Sequence, residues 1–175
     1  MRKLKALIFV CTLILTSCIN QEKETPSNQE TVSTYYFIRH AEKDRSDSTN
    51  KNPHLLEIGK QRAEHWSEVF KNVKFDAVYS TNFNRTIETA LPTATKNKLK
   101  IDSYDFKTID VSDFLNSTEG KNVLVVGHSN TTPDFVNSIL GFKKYNEIED
   151  NNNSNLYIVT VSSEKISDVL LYVSQ

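Results

Sequence analysis

The chain has only two cysteines in 175 residues, Cys11 and Cys18. Both precede residue 19, so the rest of the chain can form no disulfide and no cysteine-ligated metal site. Histidine is also scarce, with four residues at positions 40, 54, 65 and 128. That scattered spacing is not the spacing of a zinc site. No apolar run approaches the roughly 20 residues that a membrane-spanning helix needs. Neither sign of charge dominates: 21 Lys and Arg stand against 22 Asp and Glu. This balance argues against a general affinity for nucleic acid or for an anionic membrane surface. There are no internal repeats.

The N-terminus carries the clearest localisation signal. Arg2, Lys3 and Lys5 precede an apolar stretch, Leu7 to Leu15, of about nine residues. Its length fits the hydrophobic segment of a secretory signal. Leu15-Thr16-Ser17-Cys18 resembles a bacterial lipobox, which implies a signal peptide over 1–17 and lipidation of Cys18. The alternative is an ordinary signal peptide that contains a cysteine. A lipid anchor of several acyl chains holds stably, because each buried methylene contributes about 0.8 kcal/mol. Residues 18–33 are polar, contain Pro26 and read as a flexible tether. Ile19 lacks the aspartate that marks inner-membrane retention in some bacteria, so the expectation is an envelope lipoprotein of the outer membrane. Without residues 1–17 the chain keeps 18 positive and 22 negative side chains, a net charge of −4.

Residues 34–175 are enough for one domain with a real core. Strand and helix patterns alternate along it. Thr34–Arg39 reads as a strand. Leu55, Ile58, Ala63, Trp66, Val69 and Phe70 recur at helical spacing, which predicts a helix over Leu56–Phe70 with Trp66 in the core. Phe75–Tyr79 is a short strand, and Asn84 to about Lys96 a helix that Pro92 should bend. Lys100–Ser103 is a weak strand and Val111–Ser117 a short helix. Asn122–Val126 is the strand most apolar in composition. Thr132 as N-cap and Pro133 at the first helical position open a helix to Leu140. Leu156–Val161 and Val169–Val173 close the chain as two strands, paired around Ser162–Ser167. The alternation predicts an α/β three-layer sandwich, with a mostly parallel central sheet flanked by helices.

Two of these strands end on chemistry. Tyr35-Tyr36-Phe37-Ile38 leads into Arg39-His40, and Val123-Leu124-Val125-Val126 into Gly127-His128. In open α/β sheets the strand ends meet at the ligand crevice. Two histidines and an arginine gathered there suit an anionic, phosphorylated substrate.

Arg39-His40-Ala41-Glu42 resembles the first signature of the histidine phosphatase superfamily, the phosphoglycerate mutase-like fold. Ser80-Thr81-Asn82-Phe83-Asn84-Arg85-Thr86-Ile87-Glu88-Thr89-Ala90 resembles that family's second arginine motif, and Gly127-His128-Ser129 its third. Leu56 to Ala63 is similar to its first-helix segment. The four blocks keep their order from Tyr35 to about Leu140. The resemblance implies a cofactor-free enzyme in which His40 is the phosphoryl-accepting nucleophile. Arg39 and Arg85 would hold the non-bridging oxygens through planar forks that match phosphate. His128 would add a further donor to the same oxygens. No metal is implied, since positioning and charge stabilisation carry phosphoryl transfer.

The leaving oxygen needs a proton, which the resemblance assigns to a carboxyl group after the second arginine. Asp102, Asp105, Asp110 and Asp113 are the candidates. Asp105 is preferred because it follows the weak strand and should reach the pocket rim. Ala41 stands where the family usually has glycine; its methyl fits if φ is negative. The Arg85–Gly127 segment leaves little room for a capping insertion, which favours hydrolysis over mutase chemistry. Glu42 and Lys43 read as loop residues bordering the pocket, His54 and His65 as surface or packing residues. Lys96, Lys98 and Lys100 read as a solvated edge, and the sequons at Asn84, Asn116, Asn130 and Asn152 as accidental. The reading is a phosphatase acting on a small phosphorylated substrate at the envelope. A phosphomutase and a phospho-ligand-binding module are the alternatives, and oligomeric state is left open.

Overall fold

The computed structural model describes residues 31–174. The basic start, the Leu7–Leu15 segment, the lipobox and the tether up to residue 30 lie outside the described residues. Elements run in the order β1 (Ser33–Arg39), α1 (Glu57–Val69), β2 (Ala77–Ser80), α2 (Asn84–Asn97), β3 (Ile101–Ser103), α3 (Val111–Ser117), β4 (Asn122–Gly127), α4 (Thr131–Leu140), β5 (Asn155–Val161) and β6 (Ile166–Tyr172). The six strands form one sheet in the order β3-β2-β4-β1-β5-β6. The first four are mutually parallel, and β5 runs antiparallel to both β1 and β6. This is the expected α/β sandwich with a mostly parallel sheet.

Strand alternation assigns the side chains of β1 to two cores. Tyr35 and Phe37 pack with Phe114, Phe135, Val136 and Ile139 of α3 and α4. Ile38 packs on the opposite side with Trp66, Phe70, Phe75, Ala90 and Ala94 of α1, α2 and the turn between them. Trp66 is buried and stacks on Phe70 with ring centroids 5.7 Å apart. Each such fully buried large side chain contributes roughly 1.5–3 kcal/mol. Both layers are needed because the central strands β1 and β4 are buried on both faces, as parallel strands usually are.

Several boundaries differ from the sequence pattern. β1 begins one residue early, at the buried Ser33, whose Oγ accepts from the Gly120 amide at 2.8 Å. Leu56 is the N-cap of α1 and not its first turn. β2 starts only at Ala77, so Phe75 serves the core from the approach to the strand. β6 starts three residues earlier than its apolar run, at Ile166, because full pairing with β5 extends it to the turn. α4 starts at Thr131 after Asn130, which puts Pro133 in its first turn but not first. The capping role expected of Thr132 goes unused. Thr131 Oγ1 instead accepts the His128 amide at 3.1 Å and ties the preceding loop to the helix. Helix α2 runs through Pro92.

Candidate active site

The parallel strands deliver the site. Just past the C-terminal ends of β1, β2, β3 and β4 stand His40, Thr81, Asp105 and His128. Main-chain bonds continue beyond the strands and set the height of these loops. The His40 amide donates to the Gly127 carbonyl at 2.9 Å, Thr81 to Val126 at 3.3 Å and Tyr104 to Ser80 at 3.1 Å. Between the loops lies a cavity of about 620 Å³ whose lining includes Arg39, His40, Lys43, Arg85, Asp105 and His128.

His40 is 4% exposed, with its ring Nδ1 2.7 Å from the Ala41 carbonyl. A carbonyl only accepts, so Nδ1 carries the proton and Nε2 keeps its lone pair. Burial holds the imidazole pKa down at about 3; the Ala41 carbonyl opposes this, while Arg39, His128 and Arg85 push further down. Nε2 is therefore an unprotonated nitrogen at neutral pH. The segment is fixed from two sides. Asn153 Nδ2 donates to the His40 carbonyl at 2.7 Å. The Ala41 amide donates to Thr89 Oγ1 at 2.9 Å, and that hydroxyl donates to the Arg85 carbonyl at 2.6 Å. Thr89 thus links the histidine loop to the arginine on α2. Among the described residues Lys98 is the sole non-glycine at positive φ, so Ala41 sits at negative φ. Its buried methyl packs with Leu55 and Ala63.

Arg39 is 3% exposed and its outer fork is already occupied. Nη1 donates to the carbonyls of Glu149, Asp150 and Asn152 at 2.9, 3.0 and 3.1 Å. Nη2 meets the Asp150 carboxylate at 3.0 Å, which also takes Nη2 of Arg45 at 2.8 Å. Of the three Arg39 side-chain nitrogens, Nε alone is without a partner among the described residues. Arg85 is half-buried, and its Nε and Nη1 are buried without partners. Its guanidinium lies over Phe83, 4.5 Å from the ring centroid. Burial and the neighbouring Arg39 lower its pKa, though an arginine keeps its charge.

His128 lies beside His40, ring centroids 5.5 Å apart and near edge-on. Its nitrogens are engaged within the protein. Nε2 is 2.9 Å from Thr81 Oγ1, and Arg85 Nη2 approaches Nδ1 at 3.4 Å. An arginine only donates, so Nδ1 accepts and Nε2–H donates to Thr81. Burial, then Arg85, Lys43 and Arg39, lower its pKa to about 4. The expected donation from His128 to phosphate is not preformed. It needs a proton at Nδ1, which the arrival of a dianion would favour by offsetting the cations.

The four candidate aspartates separate in space. Asp105 lines the cavity, with its Oδ1 accepting the Lys107 amide at 3.0 Å. Asp102 pairs with Lys100 on the sheet edge. Asp110 caps α3 by accepting the Asp113 amide, and both line a neighbouring cavity that lacks His40. Glu42 is bound by Arg62 at 2.8 Å, and Lys43 lines the cavity and forms no ion pair among the described residues. His54 is exposed and bonded to Glu88, and His65 meets the Ser174 carbonyl at 3.1 Å. Among the described residues no cluster of His, Cys, Asp or Glu could hold a metal ion, and no helix is long and apolar enough to cross a membrane.

Sequence reading missed Phe83, Asp150 and Asn153 as members of the site, and the cross-link through Thr89. Phe83 and Thr89 lie inside the quoted Ser80–Ala90 block, so a signal existed. Asp150 and Asn153 sit in an acidic, asparagine-rich loop that offers no local pattern.

Residues 35–105 match the sequence model of the histidine phosphatase superfamily (branch 1). Together with the fold, this match over part of the chain makes it similar to that superfamily. The fold resembles Bacillus stearothermophilus YhfR at 14% identity and TM-score 0.65, covering 82% of this chain and 98% of the other. It also resembles the protein histidine phosphatase SixA complexed with tungstate, at 15% identity and TM-score 0.63, over 79% and 96%. A phosphoglycerate mutase from Bacillus anthracis aligns at 16% identity and TM-score 0.61, over 81% and 93%. At such identities the likeness shows the fold alone. No curated protein matches the chain. This similarity supports an enzyme of phosphatase or mutase type.

Proposed function

We propose that the domain hydrolyses phosphate monoesters, or phosphohistidine, through a covalent phosphohistidine at His40. One observation carries this reading: a neutral, buried His40 stands in a cavity where Arg39 Nε, Arg85 Nε and Arg85 Nη1 are buried without partners. Buried unpaired guanidinium donors are costly unless a ligand satisfies them. A phosphoryl group at His40 Nε2 would do so, and the guanidinium donors would stabilise the charge on its equatorial oxygens.

In the first step Nε2 attacks phosphorus, the bond from phosphorus to the ester oxygen breaks, and Asp105 gives its proton to the leaving oxygen. In the second, water attacks phosphorus and passes a proton to Asp105. The phosphorus–nitrogen bond breaks and returns His40 neutral. Asp150 is unsuited to the acid role, since its bonds to Arg45 and Arg39 lower its carboxyl pKa. Hydrolysis is favoured over phosphomutase chemistry because the chain from Arg85 to Gly127 is taken up by α2, β3, α3, β4 and their short links. None of these is an inserted cap to retain an intermediate.

Phosphate release from p-nitrophenyl phosphate in EDTA, compared between wild type and His40→Ala, tests the reading. Activity that survives EDTA and vanishes in the variant is expected, together with an alkali-stable, acid-labile phosphoenzyme. Binding of phosphate compounds without turnover would favour the binding module.

The envelope location is part of the proposal and rests on the N-terminal sequence. Incorporation of labelled fatty acid into the wild-type chain but not into Cys18→Ser is expected; equal labelling, or none in either, overturns it.

A further inference from the structure

The two edges of the sheet are built differently. Strand β3 is three residues long and carries the Lys100–Asp102 ion pair. Short, charged edges are how natural sheets avoid pairing with other chains. Strand β6 is neither short nor charged on its exposed faces, and an inward-turned aspartate is its one device of this kind. It is seven residues long, contains no proline, and keeps uninterrupted register with β5. Ile166, Val169, Leu170, Leu171 and Tyr172 are all exposed, Tyr172 by 72%. Its one charged side chain, Asp168, is turned inward, bonded to Lys144 and Tyr145.

The backbone of β6 is free along its outer side among the described residues. Val173 donates to Ser154, and the Lys165 carbonyl accepts from Ser162, so odd-numbered residues bond toward β5. Antiparallel alternation then points the N–H and C=O of Ile166, Asp168, Leu170 and Tyr172 outward. We propose that this edge pairs with β6 of a second copy, joining the two sheets across a twofold axis.

The strand is self-complementary in its full-overlap register. Its midpoint is Val169, so Val169 faces Val169 of the other copy, Ile166 faces Tyr172 and Asp168 faces Leu170. The outward-bonding residues fall opposite one another and exchange backbone hydrogen bonds. Apolar side chains meet on both faces, and no like charges confront each other, because Asp168 is already neutralised by Lys144. The seam lies two strands from β1, at the side of the sheet, and leaves the catalytic cavity open. A second copy fits this edge better than residues 19–30 of the same chain, a polar run with four charged residues and Pro26 that is poor strand material.

The register has a direct test. Val169 is a non-hydrogen-bonded pair with itself, with Cα atoms about 4.5 Å apart, within the range of about 4.4–6.8 Å that a disulfide spans. The full-length chain in mild detergent is oxidised as wild type, Val169→Cys and Leu170→Cys, and its mass is followed by sedimentation. Expected are a dimeric wild type, a disulfide-linked dimer for Val169→Cys, and little linkage for Leu170→Cys or wild type. Val169→Lys should be monomeric with unchanged phosphatase activity. A monomeric wild type overturns the proposal, as does equal linkage of the two cysteine variants or a dimer that survives Val169→Lys. A full chain that is monomeric while residues 31–175 dimerise also overturns it, and assigns the edge to the N-terminal segment. The readouts are association and cross-linking, so the outcome is independent of whether the activity proposed for His40 is found.

Discussion

The main-chain amide of His40 donates to the carbonyl of Gly127 at 2.9 Å, so the two histidine loops leave the sheet joined. That bond places His40 beside His128, one residue further along. Gly127 allows the approach because it has no side chain. A Cβ there would lie 2.7 Å from Thr132 Oγ1 and 2.9 Å from the Tyr104 hydroxyl. Gly127→Ala should cost about 1–3 kcal/mol of stability, the usual range for overpacking. It should also lower kcat/KM by moving His128, as urea unfolding and steady-state kinetics would show; unchanged kinetics would mean the loop absorbs the methyl.

Removing the guanidinium donors should separate the two arginines. Arg85→Ala loses both buried donors and the partner of His128, and kcat should fall at least about 10²-fold, the cost typical of one lost transition-state donor. Asp150→Ala touches no reacting atom but releases Arg39 Nη2 and Arg45. A milder loss of about tenfold in kcat/KM is expected, with Asp150→Asn recovering part of it through one retained hydrogen bond. Equal losses in Asp150→Ala and Arg85→Ala would contradict a positioning role.

Asp105 as proton donor predicts a dependence on the leaving group. Asp105→Asn should depress turnover of alkyl phosphates by about 10²–10⁴-fold, the contribution typical of general acid catalysis. p-Nitrophenyl phosphate, whose leaving group needs no proton, should be affected far less. Uniform loss across both substrates would remove Asp105 from the acid role.

Acid should weaken the fold through the two site histidines. His40 and His128 have pKa values lowered from 6.5 to about 3 and about 4. Between pH 6.5 and those values the unfolded chain binds protons that the folded chain refuses. Stability is thus greatest above pH 6.5 and falls as pH drops through this window, by up to about 1.4 kcal/mol per pH unit per imidazole. Urea midpoints at pH 7, 5.5 and 4.5 should fall less steeply in His40→Asn and His128→Asn than in wild type. Both rings are mostly neutral in the folded free enzyme above about pH 5, so an acidic limb in kcat/KM well above that pH would have to belong to another group.

Gly59 answers a second close approach. A Cβ at this position of α1 would run into the Glu42 carbonyl, which also accepts the Leu56 amide at 2.9 Å. Backbone cannot swing aside as a side chain can. Gly59→Ala should therefore destabilise by about 1–3 kcal/mol, despite alanine's better helix propensity of up to about 1 kcal/mol. A stabilised variant in thermal melts would show that the loop holding Glu42 yields.

Much of the architecture was legible because its signals are local. Short continuous apolar runs rich in β-branched and aromatic residues mark β1 and β4, helical spacing of Ala63, Trp66 and Phe70 marks α1, and the Arg39-His40, Arg85 and Gly127-His128 blocks carry the family resemblance. Strand edges were less legible, since pairing partners set them: β6 reaches back to Ile166 because β5 is there to bond it.

The sequence by itself determined which candidate side chains follow the strand ends. Only the tertiary structure decided how they are held and how they are charged. Arg39 meets Asp150 across 111 residues of chain, and Asn153 reaches the His40 carbonyl across 113. Contacts at that separation leave no periodic trace in the chain. The choice of Asp105 over Asp102, Asp110 and Asp113 as a cavity residue is of the same kind: four similar carboxylates within twelve residues differ in where β3 and α3 carry them. The neutral state of His40 is likewise a property of its burial among cations, which exists only once the sheet has closed around it.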